Sequence, residues 1–222
     1  MGGPIDPDYH DHVRPEMRAF LPARLRRVLE VGCSRGRFGA SLTEAEEVWG
    51  IEPDAAAAHI AATRLHKVFK GTFDAARPEL PRGYFDLVVC NDVIEHMPDH
   101  DSFLRDIKDH IAPGGALVGS IPNVRHYRNL INVALLRDWE YEAFGILDRT
   151  HLRFFTEKSL RRTLEQAGFH IERFGGINSG IAFRWSAGPL FFWLAAHGLI
   201  VLSLGAQSDI RHLQFGFRAV SA

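Results

Sequence analysis

The sequence predicts an α/β fold built on a doubly wound, mostly parallel sheet of seven strands. Short apolar runs alternate with helical stretches from residue 26 to residue 121, a pattern typical of βαβ units with helices on both faces of a sheet. Apolar residues make up 46% of the 222 residues and charged residues 24%, as in ordinary globular proteins. This composition argues against disorder, collagen and coiled coil.

The first half of the chain predicts five strands and three helices. The first strand covers residues 26–31 and ends at Gly32, and a helix is expected from Gly36 to about Ala45. Asp54 is the predicted N-cap of the second helix. Pro113 to Gly115 is predicted as a turn. The other strands are expected at 48–52, 67–69, 85–90 and 116–121, and the other helices at 55–65 and 99–111.

The alternation ends after Asn123. Residues 124–155 are rich in aromatic residues and arginine, and we expect them to form an inserted cap over the sheet edge that contributes to ligand binding. A helix from Thr156 to Ala167, with Gly168 as its C-cap, precedes strands at 169–174 and 214–220. We expect residues 1–222 to form one domain, with an N-terminal helical segment at 1–25.

An apolar segment at 176–208 is unusual for a surface element. Arg184 is the only charged residue between Gly175 and Ser208. Residues 189–204 are too few for the ~20 residues of a membrane span. Apolar residues surround this predicted helix, so packing on the sheet would hide only one face. We expect the segment to contact a second copy of the chain, with peripheral membrane contact and burial within the monomer as alternatives.

Charge and cysteine content restrict the partners and the compartment. The net charge is −1, which argues against sequence-independent nucleic-acid binding. Two cysteines cannot form a disulfide framework and fit a reducing cytosol. The N-terminus lacks the basic and apolar regions of a signal peptide. We expect a cytoplasmic protein, with the inner face of the membrane as a second location.

A glycine-containing loop follows the first strand and predicts cofactor binding. Gly32, Ser34 and Gly36 lie between this strand and a helix, and ligands of doubly wound sheets bind at the carboxyl ends of the strands. Glu52 ends the second strand, where a carboxylate can accept hydrogen bonds from a ribose diol. The loop does not match the GxGxxG of dinucleotide-binding proteins.

These motifs resemble class I S-adenosylmethionine-dependent methyltransferases. The first motif of that family, an acidic residue followed by GxGxG, is matched by Glu30, Gly32 and Gly36, with Ser34 replacing the middle glycine. The resemblance continues through 50–54, 84–92 and 117–123 and covers about 14–175. The stretch 147–156 is similar to a bacterial subgroup that often accompanies glycosyltransferases of surface-polysaccharide biosynthesis. The resemblance implies a Rossmann-like methyltransferase fold with an antiparallel last strand.

The resemblance also implies residue roles around S-adenosylmethionine. Glu30 and the amides of 32–36 would hold the methionine end, Glu52 the ribose, and Asn91 the methionine amine. The adenine would lie against the loop after the third strand, where either Thr72 or Asp74 is the polar partner. The predicted cofactor-binding residues are Glu30, Gly32, Cys33, Ser34, Gly36, Glu52, Pro53, Phe73, Asp74 and Asn91.

The expected acceptor is a small molecule or glycan precursor, methylated at oxygen. Methyl transfer is an in-line displacement, and a base is needed when the acceptor is an alcohol. His96 is the first candidate base, with Asp92 and His151 as further catalytic candidates; His96 could instead only pack its loop. Aromatic rings stack on sugar or ring faces, and arginine pairs with anions. The predicted acceptor-binding residues are Asn123, His126, Tyr127, Arg149 and His151.

Asp92, Glu95 and His96 also form a DxxEH set that could hold Mg²⁺, Mn²⁺ or Zn²⁺. Three ligands on one turn leave the coordination sphere incomplete, so we expect no metal. Two other functions stay open. An NAD(P)-dependent oxidoreductase would share the strand–loop–acid layout, but GxGxxG and a Tyr-xxx-Lys pair are missing. Ser34 leaves open a noncatalytic S-adenosylmethionine-binding module.

Overall fold

The computed structural model describes residues 13–179, 198 and 201–221. They form a seven-stranded sheet with the strand order β3-β2-β1-β4-β5-β7-β6, in which β7 is antiparallel to both its neighbours. The predicted doubly wound fold with an antiparallel last strand is therefore confirmed. The strands are β1 Arg27–Val31, β2 Glu47–Glu52, β3 Lys67–Lys70, β4 Phe85–Asn91, β5 Ile111–Pro122, β6 Phe169–Ser179 and β7 His212–Ser221.

The α-helices connect the strands and are mostly shorter than predicted. They are α1 Arg37–Ala40, α2 Ala55–Ala61, α3 Phe73–Ala76, α4 His100–Ile107, α5 Tyr127–Ile131 and α6 Glu157–Gln166. After α1, the Leu42 and Ala45 amides bond to carbonyls three residues back, so tight turns replace the rest of the predicted helix. Short 3₁₀ helices cover Pro15–Phe20, Arg77–Glu79, Ile94–His96, Lys108–His110 and Ser208–Arg211, and a π-helix covers Asn132–Leu136.

The predicted turn at Pro113 to Gly115 lies inside β5. Phe85 pairs with Ile111 and Leu87 with Ala116, so the extra residues of β5 form an irregularity opposite one residue of β4. Gly114 has a φ of 77°, which glycine adopts without steric cost. The sequence signal was correct about the backbone bend, but the ladder continues on both sides of it.

Local capping signals are confirmed. The Asp54 carboxylate accepts a hydrogen bond from the Ala57 amide at 2.7 Å and begins α2. Thr156 begins α6 in a capping box, because its hydroxyl accepts from the Ser159 amide while the Ser159 side chain accepts from the Thr156 amide. These contacts satisfy amides that have no partner within the first helical turn.

Both faces of the sheet are packed. Leu29 of β1 and Val88 of β4 belong to the larger hydrophobic cluster, whereas their neighbours Val28 and Leu87 belong to a second cluster. Successive strand residues point to opposite faces, so this division places one core on each side. Polar side chains such as Glu52 and Asn91 lie instead at the carboxyl ends of the strands.

The N-terminal segment packs on the second core. Met17 and Phe20 of the first 3₁₀ helix are buried, and a Cβ placed on Gly216 of β7 would lie 2.5 Å from the Phe20 ring. Gly216 therefore allows this segment to approach the sheet closely. The structure describes the predicted helical segment 1–25 only from residue 13 onward, where a 3₁₀ helix takes the place of an α-helix.

The apolar segment 176–208 lies largely outside the described residues, and so does most of 189–204, for which self-association or membrane contact is predicted. Val201, Leu202 and Leu204 are described and are 70%, 85% and 96% exposed. Within the described ranges, the helices are too short or too polar to cross a bilayer.

Candidate active site

The loop after β1 has an alternating backbone conformation. Gly32, Ser34 and Gly36 all have positive φ, at 71°, 47° and 76°. A Cβ on Gly32 would lie 2.6 Å from a Val93 methyl carbon, so the loop after β4 also requires glycine there. Ser34 occupies the left-handed region without glycine's freedom. The loop therefore keeps the conformation of three glycines, with backbone strain at its centre.

Glu52 joins this loop to the turn after β2. Its Oε2 accepts from the Ser34 amide at 2.8 Å, and its Oε1 accepts from the Asp54 amide at 2.8 Å. The side chain is buried, and each carboxylate oxygen keeps a lone pair after these bonds. Glu52 can thus hold the loop and still accept hydrogen bonds from a ribose diol. Pro53, beside it, is exposed.

Glu30, in β1, binds the helix that follows the β1 loop. Its Oε2 accepts from the Gly39 amide at 3.0 Å, and a Cβ on Gly39 would lie 2.7 Å from that oxygen. Burial raises the pKa of Glu30 to about 8, although the Gly39 amide and the Arg14 charge oppose this rise. The observed role of Glu30 is therefore to anchor α1 through the Gly39 amide. Its direct contact with the methionine group of the cofactor stays a prediction.

The loop after β3 contains three candidate cofactor-binding residues, Thr72, Phe73 and Asp74, and their side chains have different environments. The Thr72 hydroxyl accepts from the Ala75 amide and begins α3, and the Asp74 side chain is exposed. The Phe73 ring is buried against Phe103, with the ring centroids 4.9 Å apart. Phe73 is therefore a core residue, because its side chain is buried in the larger hydrophobic cluster, and its contact with a cofactor stays a prediction.

Asn91, at the end of β4, has a side-chain amide without a hydrogen bond. Its Oδ1 and Nδ2 are both buried, and neither has a partner among the described residues. A buried amide in this condition costs free energy unless a ligand or water satisfies it. Asn91 lies at the same edge as the β1 loop, because β1 and β4 are neighbours. The orphaned amide fits an amine and carboxylate such as those of a methionine group.

Asp92 holds the N-terminal segment. Arg14 Nη1 donates to Asp92 Oδ2 at 2.5 Å, and Ser120 Oγ donates to Oδ1 at 2.8 Å. Gln214 Nε2 lies 2.8 and 2.7 Å from the two carboxylate oxygens. Because these groups occupy both oxygens, the arrangement does not support Asp92 as the base. Asp92 is also not grouped with Glu95 and His96 in the structure, so it is no longer a candidate metal ligand.

Glu95 and His96 meet His151 of the inserted cap. Each residue offers one ligand atom, and these three atoms lie within 4.8 Å of one another. The rings of His96 and His151 are 4.7 Å apart. The Glu95 carbonyl accepts from the Leu152 and Arg153 amides at 2.8 and 3.1 Å, which brings the cap against the loop after β4. Two predicted catalytic residues are thus neighbours.

Asn123 is predicted to bind the acceptor, but the structure shows its side chain engaged within the protein. Its side chain is fully buried, and its Nδ2 donates to the Asp209 and His212 carbonyls at 2.9 and 3.0 Å. Its Oδ1 accepts from the Arg125 amide at 2.9 Å. Since both amide groups are used within the protein, Asn123 holds the start of the cap to the segment before β7.

The other predicted acceptor-binding residues are divided between interior and surface. His126 is buried, neither ring nitrogen has a partner among the described residues, and burial lowers its pKa to about 4. Tyr127 packs on Ile210, and Arg149 is exposed. His126 is therefore neutral at pH 7, and an interaction with an acceptor stays a prediction for all three.

Sequence reasoning missed Arg14, Ser120 and Gln214 at this edge. Ser120 and Gln214 carried a usable signal, since both are polar residues in otherwise apolar strand sequences. Arg14 carried none, because its partner Asp92 is 78 residues away in the chain. The sequence predicts His151 as a base and as an acceptor-binding residue, but gives no sign that it lies beside Glu95.

Comparisons with known proteins place these features in a family. A family model described as "Methyltransferase domain" matches residues 9–173. The chain is 31% identical over 144 residues to a ubiquinone biosynthesis O-methyltransferase of Shewanella pealeana, covering 61% of this chain and 59% of that protein. It is 34% identical over 158 residues to a probable S-adenosylmethionine-dependent methyltransferase of Mycolicibacterium smegmatis, covering 70% of this chain and 56% of that protein. The matches thus span less than two thirds of either relative.

Solved structures share the fold at low sequence identity. A SAM-dependent methyltransferase from Archaeoglobus fulgidus aligns with a TM-score of 0.64 at 19% identity, covering 92% of this chain and 89% of that one. A Thermotoga maritima structure titled as a SAM-dependent methyltransferase, possible histamine N-methyltransferase, aligns with a TM-score of 0.61 at 20% identity, covering 93% and 86%. These likenesses concern the fold.

Proposed function

This chain belongs to the S-adenosylmethionine-dependent methyltransferase-domain family, and we propose that it transfers the methyl group to an oxygen atom of a small-molecule acceptor. The observation that carries the proposal is the buried Asn91 amide, which has no partner in the described part of the chain and lies beside the β1 loop. A methionine group in this place satisfies the amide, and Glu52 receives the ribose. Family membership argues against the oxidoreductase alternative.

Oxygen is the proposed methylated atom for two reasons. An alcohol or phenol needs its proton removed during transfer, and His96 and His151 lie close to the end of β4. Ubiquinone biosynthesis O-methyltransferases are among the similar proteins. In the simplest form, a ring nitrogen of His96 accepts the proton while the oxygen attacks the methyl carbon in line with sulfur.

The acceptor is proposed to contain a ring. Trp139 and Tyr141 are exposed, and both lie against the Phe154 ring, at 5.1 and 6.4 Å between centroids. Aromatic faces of this kind stack on phenolic rings and on the apolar faces of sugars. The acceptor is therefore either a hydroxylated aromatic compound or a sugar, including a glycan precursor of polysaccharide biosynthesis. We propose a cytoplasmic enzyme, working at the inner face of the membrane if that precursor is lipid-linked.

Binding and transfer test this proposal in sequence. Calorimetry should detect S-adenosylmethionine and its demethylated product, but not NADPH. Transfer of a labelled methyl group is then measured to two panels, hydroxylated aromatic acids and nucleotide sugars. We expect a product with the label on oxygen in one panel. Binding of NADPH in preference to S-adenosylmethionine would refute the cofactor assignment, and transfer only to amines would refute oxygen as the target.

Asn91 variants test the observation behind the proposal. We expect Asn91→Leu, which replaces the amide with an apolar group of similar size, to weaken S-adenosylmethionine binding about tenfold or more, as for loss of two hydrogen bonds. Asn129→Leu is the control, because its Nδ2 donates to the Val124 carbonyl within the cap. Equal cofactor affinity in the Asn91 variant and the unmodified protein would contradict the assignment.

A further inference from the structure

The group formed by Glu95, His96 and His151 has an unusual burial pattern for a set of polar side chains. Glu95 is 1% exposed, and neither carboxylate oxygen has a hydrogen-bond partner among the described residues. His151 is also buried, while His96 is half-buried. A buried carboxylate without a donor is costly, and a cation is one of the few groups that compensates it.

The histidines are oriented as metal-ligating histidines usually are. His151 Nδ1 lies 3.0 Å from the Ile146 carbonyl oxygen, and His96 Nδ1 lies 3.2 Å from the Thr150 carbonyl oxygen. A carbonyl only accepts, so each Nδ1 carries the hydrogen and each Nε2 keeps its lone pair. A backbone acceptor behind each ring is the arrangement that fixes a histidine for metal binding.

The His96 ring is also held by the Thr150 side chain. The Thr150 hydroxyl donates to Asp148 Oδ1 at 2.6 Å, and this hydroxyl also lies 3.1 Å from His96 Nδ1. Asp148 thus holds Thr150, and Thr150 holds the imidazole.

We propose that Glu95, His96 and His151 form a binding site for one divalent transition-metal ion of the zinc type. Two imidazoles and one carboxylate suit Zn²⁺ better than Mg²⁺, which prefers oxygen ligands. The three ligand atoms, within 4.8 Å of one another, need to approach to about 3.3 Å for tetrahedral zinc with bonds of ~2.0–2.1 Å. His96 is the least buried of the three ligands, so we expect its side chain to make most of this approach.

The assignment replaces the DxxEH set with a different one. Asp92 is held by Arg14, Ser120 and Gln214, and the third ligand comes from the cap, more than fifty residues later in the chain. Metal binding therefore links the cap to the loop after β4. It also leaves a fourth position open on the side where His96 is partly exposed.

The open position suits an acceptor hydroxyl, and this role depends on the proposed oxygen methylation. A hydroxyl bound to the metal loses its proton to water more readily, because the positive charge stabilises the alkoxide. The oxygen then forms its bond to the methyl carbon as the methyl–sulfur bond breaks, and that electron pair returns to sulfur. His96 and His151 act here as ligands instead of accepting the proton.

Metal binding is measured on the full chain without S-adenosylmethionine or acceptor, so its failure is distinct from failure of methyl transfer. After chelator treatment, Zn²⁺ affinity is determined by competition with a chromophoric chelator, and Co²⁺ is added as a spectroscopic probe. We expect one equivalent of Zn²⁺, visible absorption of tetrahedral Co²⁺, a higher melting temperature with Zn²⁺, and much weaker binding of Mg²⁺.

Two ligand variants and one control locate the site. We expect Glu95→Gln and His151→Gln each to weaken Zn²⁺ binding at least tenfold, and His100→Gln, which changes a half-buried histidine near the same loop, to leave it unchanged. Calorimetry with S-adenosylmethionine verifies that each variant is folded, and the second ligand variant serves if one fails. The proposal would be overturned if the unmodified protein bound no stoichiometric Zn²⁺, or if both ligand variants bound Zn²⁺ as tightly as the unmodified protein.

Discussion

The Arg14 guanidinium donates to the Asp92 carboxylate at 2.5 Å and joins the N-terminal segment to the end of β4. Arg14 Nη2 also donates to Ser120 Oγ at 2.9 Å, and Gln214 approaches Asp92 from β7. The two side chains of the ion pair are only 18% and 25% exposed. Segments far apart in the chain therefore meet at the edge of the sheet where the cofactor is expected.

Removal of Arg14 should destabilise the protein. Arg14→Ala leaves Asp92 without its cation, and for a partly buried pair we expect a loss of about 1–3 kcal/mol in the free energy of unfolding. Urea denaturation at pH 7 measures this loss. Arg18→Ala is the control, because Arg18 pairs with Glu44 on the surface and should cost less than about 1 kcal/mol. Equal losses in the two variants would contradict the role of Arg14.

Glu52 should determine cofactor affinity. Glu52→Ala removes the proposed ribose acceptors, and we expect S-adenosylmethionine binding to weaken about tenfold or more, as for loss of 1.5–3 kcal/mol. The variant also loses bonds to the Ser34 and Asp54 amides, so its melting temperature must be measured beside the calorimetry. Glu46→Ala, which changes an exposed carboxylate, is the control. An unchanged cofactor affinity would remove Glu52 from the site.

The central residue of the β1 loop should tolerate only small side chains. Ser34 has a φ of 47°, which costs a non-glycine residue roughly 1–2 kcal/mol. Ser34→Gly removes this strain and adds about 0.5–1 kcal/mol of backbone entropy cost, so we expect nearly unchanged stability. Ser34→Val, with a branched Cβ, should lower the melting temperature clearly. Comparable melting temperatures for the two variants would show that the loop backbone is unstrained.

The stability of the protein should fall between about pH 4.5 and pH 8 because of Glu30. Burial raises the pKa of Glu30 to about 8 in the folded state, while Arg14 and Glu52 act on it in opposite directions. The folded state therefore holds the proton of Glu30 more tightly than the unfolded state does. The free energy of unfolding consequently decreases as pH rises through this window. Glu30→Gln keeps an oxygen for the Gly39 amide and should lose less stability over the same window.

The comparison of Glu30→Gln with the unmodified protein is made by urea denaturation at pH 5 and pH 8. Between pH 5 and pH 8, we expect the free energy of unfolding of the unmodified protein to fall relative to that of Glu30→Gln by on the order of 3 kcal/mol. Glu46→Gln, on the surface, should show no such change. A constant difference between Glu30→Gln and the unmodified protein would mean that Glu30 ionises normally.

Exposed apolar residues near the C-terminal segment should mediate self-association. Leu202 and Leu204 are 85% and 96% exposed, and the sequence around them is apolar. We expect the unmodified protein to be a dimer by light scattering and Leu202→Glu/Leu204→Glu to shift it toward monomer. Liposome co-sedimentation separates this outcome from membrane contact. A monodisperse monomer that does not bind liposomes would contradict both forms of contact.

The sequence by itself determined the features that depend on neighbouring residues. The order of strands and helices follows from apolar periodicity, and the Asp54 and Thr156 caps follow from side chains that bond to amides three residues away. The glycine loop after β1 was recognisable because positive φ favours particular residue types locally. Even the bend at Gly114 was visible, although the strand around it was not.

Only the tertiary structure decided which side chains meet at the site. Asp92, Glu95 and His96 looked like one group because they are close in sequence, yet Asp92 pairs with Arg14 while Glu95 and His96 meet His151. The polar side chain of Asn123 looked available, but carbonyls 86 and 89 residues away occupy its amide. Such pairings follow from strand order and loop docking, which bring distant segments together at one edge of the sheet, and no local pattern encodes them.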